Sequence, residues 1–173
     1  MISLLSKDQI LKCLSELGEE LAALGMQGEI LLAGGASMCL VHEARDMTKD
    51  VDALYEPKTI INSIAINIAE RNGLPRDWLN DGVKGFIGAN ASTEEFMCLC
   101  GLRVQTVSAE YLLAMKLMSA RYGEKDYDDI RFLIKKLGIN SKEQAYDIVQ
   151  AYFAQNQIMP KTKYIIEEII SET

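Results

Sequence analysis

The chain has 173 residues, of which 49% are hydrophobic and 25% charged, and its formal net charge is −7. That apolar content suffices for a core serving one domain or an intimate pair of lobes, and no run approaches the roughly 18 apolar residues of a membrane helix. The N-terminus lacks a basic stretch followed by an apolar signal core, so a soluble, cytoplasmic protein without a membrane partner is expected.

The acidity is confined to one part of the chain. Residues 1–100 carry 8 basic and 15 acidic side chains, whereas residues 101–173 carry 10 of each. A whole-protein attraction to nucleic acid is thereby excluded, and only a local basic strip remains open. Lys116, Arg121, Lys125, Arg131, Lys135 and Lys136 are candidates for one; interleaved with Glu124, Asp126, Asp128 and Asp129, they read equally as a solvated helical face. The four cysteines, Cys13, Cys39, Cys98 and Cys100, are expected as reduced buried thiols, because neither a disulfide framework nor a zinc spacing is present.

Ser6 with Gln9 forms a capping-box signature, and Ile10, Leu14, Leu17, Leu21 and Leu24 continue an amphipathic helix up to Gly25. Ile30 to Leu32 reads as a buried strand, Gly34-Gly35 as a tight turn and Ala36 to Glu43 as a helix, with His42 on its surface. Lys49 to Tyr55 is expected as a second strand, and Pro57 opens a helix with an Ile61, Ile64, Ile68 stripe that stops near Gly73. The segment from Asn80 to Glu95 predicts a loop or weak hairpin. Phe96 to Cys100 and Leu102 to Val107 predict two strands joined through Gly101. Ser108 caps a helix to about Tyr122, Asp126 to Leu137 forms the next, Ser141 with Gln144 caps another, and Pro160 opens the last.

Three places in this pattern carry chemistry. Gly34 and Gly35 have no Cβ, so backbone can approach a phosphate closely; an ordinary strand-to-helix turn has the same sequence. Asp50 and Asp52 alternate with Val51 and Ala53, and strand geometry places both carboxylates on one face, where they repel unless a cation lies between them or water solvates them. Lys116 interrupts the apolar run Leu112-Leu113-Ala114-Met115 and Leu117-Met118, so its charge must snorkel or meet an anion. Asp126 and Asp129, spaced i and i+3, share a helical face; Asp126 is a candidate partner for Lys116, a candidate base, or a helix N-terminal charge.

The order strand, Gly-Gly, helix, Arg45…Thr48-Lys49-Asp50-Val51-Asp52, and later Lys116…Arg121…Lys125-Asp126-Tyr127-Asp128-Asp129, resembles the DNA polymerase β superfamily of nucleotidyltransferases. Within that superfamily the likeness is to small bacterial members related to the minimal nucleotidyltransferases and the AbiE-type toxins. The two patches span roughly half of the chain. The resemblance implies an α+β fold, with a nucleotidyltransferase-type mixed sheet flanked by helices over residues 1–107 and a C-terminal helical lobe over residues 108–173. It implies transfer of a nucleoside monophosphate from a nucleoside triphosphate to a hydroxyl of RNA, protein or a small molecule, in a toxin held by an antitoxin partner. Asp50 and Asp52 would then hold Mg2+ or Mn2+; Gly34, Gly35, Ser37, Arg45 and Thr48 would bind nucleotide; Lys116 would reach its phosphates across the cleft between the lobes; Asp126 would act as base.

The pattern departs from the family twice. Many relatives have Gly-Ser where this chain has Gly34-Gly35, which makes Ser37 a displaced substitute. The third carboxylate of the family is expected on a later strand, yet Phe96 to Cys100 and Leu102 to Val107 contain no acid, with Glu94 and Glu95 just outside. A catalytically silent module that binds nucleotide or a partner protein, and an unrelated α/β protein, stay open as readings.

Overall fold

The computed structural model describes residues 4–121 and 124–172 and shows an α+β protein built as two compact units. The first unit comprises Met1–Ile87 and Thr93–Val107, the second Gly88–Ser92 and Ser108–Thr173. No helix among the described residues is long and apolar enough to cross a membrane.

In the first unit, β1 (Leu5–Ser6) leads directly into α1 (Lys7–Ala23). The Ser6 hydroxyl accepts from the Gln9 amide and the Gln9 side chain accepts from the Ser6 amide, which closes the capping box. Ile10, Leu14, Leu17 and Leu21 are buried, whereas Leu24, at the cap, is 61% exposed. There follow β2 (Gly28–Leu32), α2 (Gly34–Leu40), β3 (Met47–Thr48), β4 (Val51–Glu56) and α3 (Lys58–Asn72), the last ended by Gly73 in the left-handed conformation. The second strand thus starts at Val51, not Lys49, and Asp50 precedes it.

The segment expected as a loop is more ordered than its composition suggests. It contains β5 (Leu79–Asn80), a 3-10 turn (Gly82–Gly85) and the start of β6 (Thr93–Leu99), which pairs with β7 (Leu102–Val107). Glu94 and Glu95 therefore lie inside a strand, opposite Thr106 and Gln105. The five-stranded sheet has the order β5-β4-β2-β7-β6, with β2 antiparallel to β4 and parallel to β7. Ile30, Leu32, Val51, Ala53, Tyr55, Leu102 and Val104 turn inward to join α1 and α3 in one core. A separate two-stranded ribbon pairs β1 with β3, with Leu5 opposite Thr48.

The second unit holds α4 (Ala109–Ser119), α5 (Glu124–Lys136), α6 (Lys142–Tyr152) and α7 (Pro160–Ser171). The expected helix end at Tyr122 lies outside the described residues. Tyr111 organises this unit: its ring meets Tyr152 edge-on at 4.8 Å and its hydroxyl accepts from the Gly88 amide at 2.8 Å, which attaches residues 88–92 to the helices.

Cys13 and Cys39 are 2% and 1% exposed, whereas Cys98 and Cys100 are exposed, contrary to the expectation that all four are buried. Burial pushes the Cys13 thiol up to about 11 and the Cys39 thiol upward as well. A maleimide titration of the native protein should therefore consume two thiols quickly, and Cys13 and Cys39 only at the rate of unfolding. Because Cys13 titrates higher in the folded than in the unfolded chain, the stability it contributes is complete below about pH 9 and falls away towards pH 11. Four equally fast thiols would contradict this arrangement.

Candidate functional site

β2 and β4 place the glycine turn and the aspartates side by side because they are neighbours in the sheet. The ladder continues one step past Leu32, where the Ala33 amide donates to the Asp52 carbonyl at 3.0 Å. At this point the chain must turn sharply, and Gly34 does so with φ +57. A Cβ on Gly34 would lie 3.0 Å from Asp52 Oδ2, and one on Gly35 would lie 2.5 Å from Thr48 Oγ1 and 3.6 Å from Arg45 Nη1. Gly34, Gly35, Arg45, Thr48 and Asp52 therefore meet at one turn. Arg45 also lines an open cavity of about 360 Å3 with Lys7, Asp8, Glu43 and Asp46, which Gly34, Gly35, Thr48 and Asp52 do not line.

Thr48 is 4% exposed, and its hydroxyl donates to the Asp50 carbonyl at 3.3 Å, tying the approach to β4 back on itself. Asp50 and Asp52 are both half-buried. Only Asp52 belongs to the strand, on the opposite face from buried Val51 and Ala53. Ser37 is fully buried, and its hydroxyl is hydrogen-bonded to Thr106 Oγ1 at 2.9 Å, a link between α2 and β7 that faces away from solvent. His42 lies beyond the end of α2 and is half-buried.

One residue of this neighbourhood carried no sequence signal of its own. β5 runs parallel to β4 with Asn80 in register with Asp52, so the two side chains leave the same face. The Asn80 carboxamide is oriented by the Gly82 amide, which donates to its Oδ1 at 2.9 Å. A Cβ on Gly82 would lie 2.9 Å from Asn80 Oδ1 and 3.8 Å from Asp52 Oδ1. Each Asp52 oxygen thus faces a glycine. The sequence around it, Asn80-Asp81-Gly82, shows only a turn.

Glu95, inside β6, accepts from Arg103 Nε at 2.6 Å and from Gln105 Nε2 at 3.5 Å, so this strand acid is engaged by an arginine on the neighbouring strand. In the second unit Lys116 has met its anion: its Nζ lies 2.7 Å from Asp129 and 3.5 Å from Asp126. Asp129 is 5% exposed, and Asp126 Oδ2 accepts from the Arg121 amide at 3.3 Å. Asp126 and Asp129 thus serve as partners of Lys116 within the helical unit.

Among the described residues no group of three or more His, Cys, Asp or Glu side chains is gathered for a metal. The donor beside Asp52 is the Asn80 carboxamide, and both offer hard oxygens of the kind that suit Mg2+ or Mn2+ rather than zinc. With Gly34 and Gly82 keeping side-chain bulk away from both carboxylate oxygens, the donor set fits a small divalent cation. Compared with family models, curated proteins and solved structures, the chain matches none.

Proposed function

We propose that the first unit binds a nucleoside triphosphate together with Mg2+ or Mn2+ and transfers its nucleoside monophosphate to a hydroxyl acceptor on RNA, protein or a small molecule, as in the polymerase β-type nucleotidyltransferases and related toxins that the sequence resembles. The observation that carries this reading is the packing of left-handed Gly34 against the Asp52 carboxylate, with Gly35 on Thr48 and Arg45 beside it. A turn without Cβ atoms admits phosphate oxygens to the backbone amides, and Arg45 offers a planar cation for them. Asp50 and Asp52 hold the cation, which when bound neutralises triphosphate charge. Thr48 fixes the backbone of Asp50. In the transfer the acceptor oxygen forms a bond to the α-phosphorus, the bond to pyrophosphate breaks, and the hydroxyl proton leaves to a base.

A silent nucleotide-binding module is the second reading, favoured by the engagement of Glu95 with Arg103 and of Lys116 with Asp129. Asp50→Asn and Asp52→Asn preserve shape and remove one charge each, so Mg-dependent triphosphate affinity is expected to fall roughly 10- to 100-fold while the melting temperature holds. Binding unchanged in both variants rejects the site. Radiolabel transfer from an α-labelled triphosphate to total RNA and protein, with pyrophosphate release, separates enzyme from silent module.

A further inference from the structure

Asp81, next to Asn80 in the chain, is ion-paired with Lys58. We infer that Asn80 is a further oxygen donor toward the divalent cation at Asp52; this rests on the cation-binding reading of Asp52. Three observations carry it. The parallel register places Asn80 and Asp52 side by side on one sheet face, and both are half-buried. Their Oδ1 atoms lie 2.9 and 3.8 Å from a single point, the position a Cβ would take on Gly82, where this chain has none. The Asn80 carboxamide is also pre-oriented: Oδ1 accepts from Gly82 N–H at 2.9 Å and Nδ2 donates toward the Asp77 carbonyl at 3.5 Å.

A carboxamide oxygen has two lone pairs, and the Gly82 amide uses one of them. The second is available to a hard cation, for which an asparagine carbonyl is an ordinary ligand. A neutral donor beside Asp52 would add a ligand without a third mutually repelling charge, so cation affinity is set lower and exchange faster than in a three-carboxylate site.

The test is Mn2+ binding to the whole protein, read from the free-ion electron paramagnetic resonance signal without nucleotide or turnover. The parent should bind Mn2+ and Asp52→Asn should lose binding. Asn80→Ala should weaken it roughly tenfold, the lower end of what losing a partner at a metal site costs, and Asn80→Asp should tighten it severalfold. Asn80→Asp keeps an acceptor for the Gly82 amide, so it remains informative even if Asn80→Ala lowers the melting temperature. If Asp52→Asn loses Mn2+ while both Asn80 variants bind as the parent does, Asn80 is only a turn residue and the inference fails alone. If the parent binds no Mn2+, the cation reading of Asp52 falls and takes the inference with it.

Discussion

Lys116→Met is expected to destabilise the protein by about 3–5 kcal/mol, the usual result of breaking a buried ion pair by removing one member. The lysine side chain is 13% exposed and that of Asp129 6%, with 2.7 Å between their charged atoms. Methionine fills the space of the lysine stem, so packing is preserved and the loss reports the carboxylate left without its cation. Two charges taken from water together gain little over two apolar groups of similar volume. The double variant Lys116→Met/Asp129→Leu should therefore recover most of the stability, and a denaturant series on the four proteins of the cycle measures the coupling. A Lys116→Met protein as stable as the parent, with weakened triphosphate affinity, would instead return this lysine to phosphate binding.

The second large effect is expected at the β6–β7 hairpin. Gly101 has φ +70, and a Cβ there would overlap the Gly18 carbonyl oxygen and lie 2.7 Å from the Ala22 amide nitrogen. Both are backbone atoms of α1, so no rotamer relieves the clash, and a Cβ on Gly18 would in turn overlap the Cys100 carbonyl. Gly101→Ala combines left-handed strain with overpacking and should cost roughly 2–5 kcal/mol. Gly73→Ala is the control: φ +65 at the end of α3, but nothing within 4 Å of the new Cβ. It should cost only about 1 kcal/mol. Equal losses at the two positions, measured by thermal or urea unfolding, would show that backbone conformation alone decides both.

Features whose information lies within a few residues were legible in the sequence. The capping box at Ser6 and the stop at Gly73 each need only a side chain and a nearby amide, and both are present; at Ser141 the hydroxyl caps the Gln144 amide as expected, but the Gln144 side chain accepts from Asn140 N–H instead of closing the box on Ser141. The glycine turn and Asp52 were also legible, because the turn chemistry and the misplaced acid stand out locally. The start of β6 was hidden since Thr93, Glu94 and Glu95 are all exposed, and an edge strand held by its ladder to β7 needs no apolar alternation. The same exposure explains Cys98. Asn80 was hidden for a different reason: its meaning depends on parallel pairing with a residue on another strand, while its own neighbours spell a turn. Lys116 announced that an anion was needed, and only the packing of α4 on α5 chose Asp129.

The ribbon in which Leu5 pairs with Thr48 has a consequence for the order of events in folding. Thr48 is the residue on which Gly35 rests, so the turn is completed only when a strand from the start of the chain has closed a long loop onto β3. Such closure costs conformational entropy before any contact rewards it. The β2–β4 pair can form from residues close in sequence. A chain at that stage would have the glycine turn and Asp52 in register while Thr48 and Arg45 still wander, so competence at the site arrives later than the sheet that carries it.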